Sequence, residues 1–363
     1  MSSAIAAESP PSPPTVPAKT WLLIDFHSGK ELAAHDADVL RPPASLTKLM
    51  TSYIVFDALK NGKLKLDDKI VVSERATRVA GSRLFLRPGD DVTAEVLIKG
   101  MIVRSANDAT LALAEYLHGS EAAFVEQMNA QLRAWKLTRS HFSSVTGLDR
   151  AGHLSTAREL TAIGRHLLAD FPQYYPWFAL KEFTYNDIRQ HNRNALLWRD
   201  EHADGIKTGR TRGAGYCLVG SATRGDMRLI ATVLGADDDL QRTVAAETLL
   251  EYGFRNFETQ RLYGADEPAT RVRVWMGEDS VLPLGIGSDL YLTLQRGTHA
   301  KLRARLTVRE VQYAPVAAGQ RIGSIALEMD GQPVAEYPLV ALKAIERGNV
   351  IQRGLDQVRM WFE

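Results

Sequence analysis

The chain has 363 residues and a single cysteine, Cys217, so no intramolecular disulfide framework can form. Cys217 stands in the apolar run "GYCLVGSA", where a small buried hydrophobe is the expected role rather than a reactive thiol. Its scarcity leaves the redox compartment open. An excess of one charge is missing too: 44 Lys and Arg face 43 Asp and Glu. That balance supplies neither the basic field nucleic acid needs nor an acidic tail. No run is long and apolar enough to span a bilayer. The 9 histidines show no metal-ligand spacing such as His-Glu-x-x-His, and no glycine-rich phosphate loop follows a strand. No metal, no nucleotide cofactor and no nucleic-acid partner is expected. Internal repeats are absent.

What is present is ordinary globular composition, 45% hydrophobic and 24% charged, with length enough for about two or three domains. The first residues, "MSSAIAAES", carry a small-residue pattern of the kind that ends an export signal. Two readings stand: a signal whose apolar part is missing from this chain, or a disordered tail. "PPSPPTVP" follows and cannot form helix or sheet, so residues 1–19 are expected to be an extended tether.

From residue 20 to 257 the pattern is mixed. "WLLIDFHSGKELAAHD" reads as two strands around a turn at His27-Ser28-Gly29. "VLIKGMIVRSANDATLALAEYL" reads as helical segments interrupted near Ser105. "EAAFVEQMNAQLRAWKL" is an amphipathic helix with Phe124, Met128 and Leu132 on one face, and "TARELTAIGRHLLADF" is another. "GYCLVGSATRGDMRLIATVLGA" reads as strand, polar turn, strand, and "RTVAAETLLEYGF" as a closing helix. Strands at both ends of a helical block indicate an α+β domain whose sheet is assembled from distant segments. Residues 258–345 change character. "DLYLTLQRG", "KLRARLTV", "RIGSIALEM" and "VAEYPLVAL" alternate apolar and polar residues, as a small all-β sandwich would. In the second of these, Leu302, Ala304, Leu306 and Val308 share one face.

The stretch "PPASLTKLMTSYIVFDALKNG" raises a chemical question. Its apolar residues run nearly all round the helix, which marks a buried helix, yet it opens with Ser45 and places Lys48 one turn in. Ser45 as a plain cap, with Lys48 reaching solvent, is the simplest reading of these residues alone. A nucleophilic reading requires Lys48 to accept the Ser45 proton, hence a pKa lowered from ~10.4. Burial, a helix N-terminus and a second cation each lower it. At a spacing of three the two side chains share a helix face. Downstream stand Ser105-Ala-Asn107 and Lys207-Thr208-Gly209. Each is weak alone. In this order Ser-x-x-Lys, Ser-x-Asn and Lys-Thr-Gly match the set of class A β-lactamases and penicillin-binding proteins.

With "HFSSVTGLDRAGHLSTARELTAIG", "RQHNRNALLW" and "DGIKTGRTRGAGYCLVGSATRGDMRLI", the chain from about Trp21 onward closely resembles the low-molecular-mass penicillin-binding proteins that act as D-alanyl-D-alanine carboxypeptidases. The resemblance implies a β-lactamase/transpeptidase-like catalytic domain, a β-rich second domain and a C-terminal amphipathic segment. It implies that Ser45 is acylated, Lys48 is its base, Ser105 relays a proton to the departing amine and Asn107 binds the substrate backbone. Lys207 becomes the second cation and, with Thr208, the holder of the substrate carboxylate. Gly209 is expected to leave room for a substrate strand, and the N–H groups of Ser45 and Arg210 to form the oxyanion hole. Arg193 and Arg242 match arginines near the family's substrate site; surface ion pairing is the other reading of both. The partners implied are a peptidoglycan stem peptide ending in D-Ala-D-Ala and β-lactams. Two departures stand out: a shorter "ERATRVAGSRLFLRPG" loop, and Thr146 where relatives carry histidine.

Other classes fit these residues less well. A class A β-lactamase would need a deacylating glutamate motif, and nothing between Asn107 and Lys207 supplies it; Glu159 does not fit. A non-catalytic penicillin sensor would not need the full motif set, and a DD-endopeptidase is disfavoured by the second domain. In "VIQRGLDQVRMWFE", within residues 346–363, Ile351, Leu355, Val358 and Phe362 recur at helical spacing, widened by Met360 and Trp361. The segment suits a membrane interface, and the resemblance implies that it anchors the chain on the periplasmic side of the inner membrane. Packing on the β domain as a lid is the alternative.

Overall fold

The computed structural model describes residues 11–308 and 311–361. The small-residue pattern at the start of the chain, Phe362 and Glu363 lie outside these. The chain divides into two compact units, Met1–Arg255 and Asn256–Glu363.

In the first unit, strands β1 (Thr20–Asp25), β2 (Glu31–His35), β3 (Ala203–Thr211), β4 (Gly215–Arg224) and β5 (Met227–Ala236) form one sheet in the order β2-β1-β5-β4-β3. Every pairing is antiparallel. The N-terminal hairpin thus joins the sheet by pairing Thr20 with Leu234 and Asp25 with Leu229, the distant assembly that the segment order indicated. The helices are α1 (Lys48–Lys60), α2 (Asn107–His118), α3 (Glu121–Ala134), α4 (Ala157–Asp170) and α5 (Asp239–Asn256), with shorter turns between them. α4 lies on the sheet, burying Leu160, Ile163 and Leu167, and Thr161 Oγ1 meets Thr232 Oγ1 at 2.6 Å. α1 is the centre of the helical block. Leu49, Met50, Val55 and Phe56 are all fully buried, each contributing about 1.5–3 kcal/mol of apolar burial. The Phe56 ring packs edge-on against Phe171 and Phe178. Only from Lys48 onward is the backbone α-helical; Ala44–Thr47 form a tighter 3-10 turn, with Ala44 at positive φ.

Residues 11–19 contain no helix, as their prolines require. They differ from a free tether, because Val16 is buried and the Tyr252 hydroxyl donates to the Pro11 carbonyl at 2.8 Å.

The second unit contains β6 (Phe257–Tyr263), β7 (Thr270–Trp275), β8 (Val281–Gly285), β9 (Leu290–Gln295), β10 (Leu302–Val308), β11 (Gln312–Tyr313), β12 (Arg321–Met329) and β13 (Gln332–Ala341). β6 pairs with β9, and the others form a six-stranded sheet in the order β10-β12-β13-β8-β7-β11. Leu290, Leu292 and Leu294 of the ribbon share one core with Leu282, Leu284, Ile325, Leu327 and Leu339 of the sheet. β10 departs from the alternation read for it. It is an edge strand, and Ala304 and Leu306 stay exposed while only Leu302 and Val308 approach the core.

Helix α6 (Val350–Arg359) starts on a capping box in which Asn349 and Gln352 satisfy each other's backbone. Asp356 accepts the Met276 N–H at 2.8 Å and is the buried residue of this helix. Ile351 and Trp361 are 74% and 84% exposed. The lid arrangement, with the apolar side turned inward, is therefore not the one adopted. Among the described residues no helix is long and apolar enough to cross a membrane.

Candidate active site

Ser45 does not cap a helix, and Lys48 does not reach solvent. The turn at Ala44–Thr47 has no side-chain cap, and Lys48 is 0% exposed. Its Nζ lies 2.7 Å from Asn107 Oδ1, 2.7 Å from the Thr146 carbonyl and 3.2 Å from Ser45 Oγ. The orientation of the Asn107 amide is fixed, because its Nδ2 donates to the Ala80 carbonyl at 2.6 Å. Two of the three neighbours can thus only accept. A neutral amine has two N–H donors and one lone pair. Both donors are taken by Asn107 and Thr146, and the lone pair is left for the Ser45 hydroxyl proton.

Electrostatics favour that neutral state. Burial pushes Lys48 well below the usual lysine range, Lys207 pushes it further, and buried Asp108 opposes them. Asp108 has its own structural task, accepting the N–H groups of Leu84 and Leu86. Thr146 contributes its carbonyl to Lys48, while its hydroxyl meets Ser144 Oγ at 2.9 Å. At position 146 it is a backbone atom that reaches Lys48.

Ser105 ends a π-helical turn, Gly100–Arg104, that interrupts the helical run where the sequence indicated a break. It adopts the left-handed region (φ 60°, ψ 36°), a conformation that costs a non-glycine residue about 1–3 kcal/mol. Its Oγ is buried and has no hydrogen-bond partner among the described residues. A strained backbone holding an unpartnered hydroxyl beside a cleft is a feature of a reactive site rather than of packing.

Lys207 and Thr208 lie on β3, the edge strand of the sheet. Lys207 is buried, and its amine donates to the Thr208 carbonyl at 3.1 Å. Burial, with Arg193 and Arg242 nearby, pushes its pKa down to about 7. The free outer flank of β3 faces the Ser45 turn. A Cβ on Gly209 would come within 3.1 Å of the Ser45 nitrogen, the Pro43 oxygen and the Ala44 Cβ. The close approach that requires glycine is thus to the Ser45 turn, a neighbour different from the substrate strand expected.

Ser45, Ser105, Asn107, Thr208, Gly209, Arg210, Arg193 and Arg242 all line one cleft of about 850 Å³. Lys48 and Lys207 are buried among these residues. Arg242 is buried and pairs with Asp239, so simple surface pairing does not describe it. Its guanidinium and that of Arg210 lie 5.6 and 4.9 Å from the centre of the Tyr216 ring. Burial lowers Arg242 to about 10 and also lowers Arg193, the latter with help from Arg104 and Arg210. These cations crowd one end of the cleft, which an anion would relieve. Sequence reasoning missed Tyr216, Trp198 and Leu148 in the cleft wall, and Thr47 and His153 behind it. Glu159, the one glutamate considered for deacylation, accepts the N–H groups of Arg139 and Ser140 at the start of α4. Cys217 is buried and burial raises its thiol to about 11, in keeping with a packing role.

Residues 6–238 match the family described as D-alanyl-D-alanine carboxypeptidase, and residues 257–347 match the penicillin-binding protein 5 C-terminal domain. The chain belongs to the D-alanyl-D-alanine carboxypeptidase family. Within this carboxypeptidase family it is 44% identical to the Escherichia coli D-alanyl-D-alanine carboxypeptidase DacC, over 99% of this chain and 92% of that one. The fold is similar to that of penicillin-binding protein 5 from Haemophilus influenzae, with a TM-score of 0.87 at 38% identity, covering 93% of this chain and 99% of that chain. Penicillin-binding protein D2 from Listeria monocytogenes, solved in an ampicillin-bound form, is 32% identical with a TM-score of 0.60, over 66% of this chain and 98% of that one.

Proposed function

We propose that the chain removes the terminal D-alanine from peptidoglycan stem peptides through an acyl-enzyme on Ser45. The observation that carries this reading is the Lys48 amine, whose two donors are occupied by Asn107 and Thr146 and whose third neighbour is Ser45 Oγ. Ser45 Oγ attacks the carbonyl carbon of the penultimate D-alanine while Lys48 takes its proton. The oxyanion is held by the N–H groups of Ser45 and Arg210. The C–N bond then breaks, and the leaving amine takes a proton relayed by Ser105 from the Lys48 ammonium. Water, deprotonated by the same lysine, hydrolyses the ester and frees the enzyme. The substrate's terminal carboxylate fits the end of the cleft where Lys207, Thr208, Arg193 and Arg242 meet. A β-lactam acylates the same serine, but its amine stays tethered to the acyl group. The test is incubation with a peptide ending in D-Ala-D-Ala and assay for free D-alanine. Release by the parent chain and none by Ser45→Ala supports the reading; equal release by both refutes it.

For the site of action, α6 is the supporting feature. Its exposed Val350, Ile351, Leu355, Val358 and Trp361 give an apolar side that suits a membrane interface. We place the enzyme on the periplasmic surface of the inner membrane, near its wall substrate.

A further inference from the structure

The turn that presents Ser45 is gripped from behind through Thr47, at an unspecified position of Ser-x-x-Lys, and by residues outside the three motifs. Thr47 Oγ1 donates to the Ala44 carbonyl at 2.8 Å. His153 Nε2 lies 2.8 Å from the same Thr47 oxygen, and His153 Nδ1 accepts the Ser143 N–H at 2.9 Å. Because Nδ1 accepts, the ring proton sits on Nε2 and is donated to Thr47, whose own proton is then committed to Ala44. All three residues are buried. Burial and Arg150 push the His153 pKa down to about 4, so this neutral tautomer persists through the neutral range. Gly147 closes the grip: a Cβ there would fall 1.8 Å from the Ala44 oxygen, and its φ of +85° is one that favours glycine.

In a planar trans peptide the carbonyl oxygen of one residue and the N–H of the next point in opposite directions. Fixing the Ala44 oxygen against Thr47 and Gly147 therefore fixes the Ser45 N–H on the opposite side of that peptide plane, and the Ser45 nitrogen lies close to Gly209 of β3. Ala44 holds an unfavourable positive φ of 49°, so the turn needs such restraint to keep this peptide plane.

We propose that Thr47 and His153 are positioning residues for acylation: relayed hydrogen bonds from His153 through Thr47 to the Ala44 carbonyl aim the Ser45 N–H at the developing oxyanion. This rests on the acyl-enzyme reading above. Neither residue touches substrate. Their effect belongs to the acylation step rather than to initial binding.

The test follows the rate at which benzylpenicillin adds to the full chain, by intact mass over time, normalised to the folded fraction from thermal unfolding. Removing an oxyanion donor outright costs about 10²–10³ in rate, so misaiming one is expected to slow acylation about 10- to 100-fold in Thr47→Val. The affinity of the pre-covalent complex should change little. Thr47→Ser keeps the hydroxyl and should recover most of the rate. His153→Phe, which removes both ring nitrogens, should slow acylation in the same direction and decides the matter if Thr47→Val does not fold. Acylation per folded molecule equal to the parent's, with only the melting temperature lowered, overturns the proposal. A parent chain that benzylpenicillin leaves unlabelled overturns the acyl-enzyme reading itself, and the positioning role with it.

Discussion

A buried lysine amine has two states, and its neighbours choose between them. Around Lys48, burial and the neighbouring Lys207 favour the neutral base, and the two acceptors at 2.7 Å then use both N–H bonds of the uncharged amine. Lys207 has the opposite task, because the proposed role needs its cation, and its pKa of about 7 leaves that cation only partly held. The roles should separate on substitution. Lys48→Arg puts a permanent cation where a neutral base stood, so acylation should fall by about 10²–10⁴, the range of general-base catalysis. Lys207→Arg keeps a cation and should retain weak activity. In the parent, raising pH through about 7 discharges Lys207, so kcat/KM should decline on the alkaline side. Arginine stays charged, so the alkaline decline should move to higher pH in Lys207→Arg. Equal activity in the two variants, or an unmoved alkaline limb, would contradict these assignments. At this scale the motif residues were legible, since Ser-x-x-Lys, Ser-x-Asn and Lys-Thr-Gly each stand within a few positions. Thr47 and His153 were not. Their contact spans 106 residues, and a lone histidine in "AGHLST" carries no periodic or spacing signal.

Secondary structure was legible wherever one face of an element is buried. Phe124, Met128 and Leu132 of α3 lie inside, as their spacing required. The alternation of β10 was equally clean, but it overstated burial. An edge strand has a neighbour on one side only, and period two marks faces without saying whether anything covers them. The start of the Ser45 helix was misplaced by a few residues for a related reason. Ala44 takes its positive φ where Gly147 and Gly209 approach the turn closely, and neither approach is a local signal. α6 had two readings in the sequence, anchor or lid, and the outward face of Ile351, Leu355 and Trp361 favours the first. With Asp356 holding the helix to the Met276 backbone, the apolar side is left for an interface. The full chain is expected to sediment with liposomes, and a chain ending at Gly348 to stay in the supernatant. Supernatant for both would exclude the anchor.

Across the whole molecule, a sheet whose edge strand faces the Ser45 turn brings residues 45, 105 and 207 to one cleft, and the cost is a collection of buried cations. Folding lowers the Lys207 pKa from an ordinary 10.5 to about 7, so between those values the unfolded chain binds more protons than the native one. Stability of the first unit should therefore rise from pH 7 to pH 9, and burial of Lys48 acts in the same direction. Lys207→Gln should flatten this slope and raise stability at pH 7 by about 1–2 kcal/mol while abolishing activity, a trade of function for stability. Identical pH slopes in denaturant unfolding of the parent and the variant would refute that linkage. Penicillin should also persist on the protein far longer than on a β-lactamase, because no deacylating glutamate motif stands between Asn107 and Lys207 and Glu159 is engaged at the start of α4. The two-unit order was legible from the change in residue pattern near residue 257, whereas the packing of residues 11–19 was not, since prolines report what a segment cannot form and not what it touches. The most direct measurement of the central claim is intact mass after brief exposure to benzylpenicillin, with peptide mapping of the adduct. One penicillin on Ser45, formed by the parent and absent in Ser45→Ala, is the expected result. An adduct on any other residue, or labelling of Ser45→Ala at the parent's rate, would contradict it.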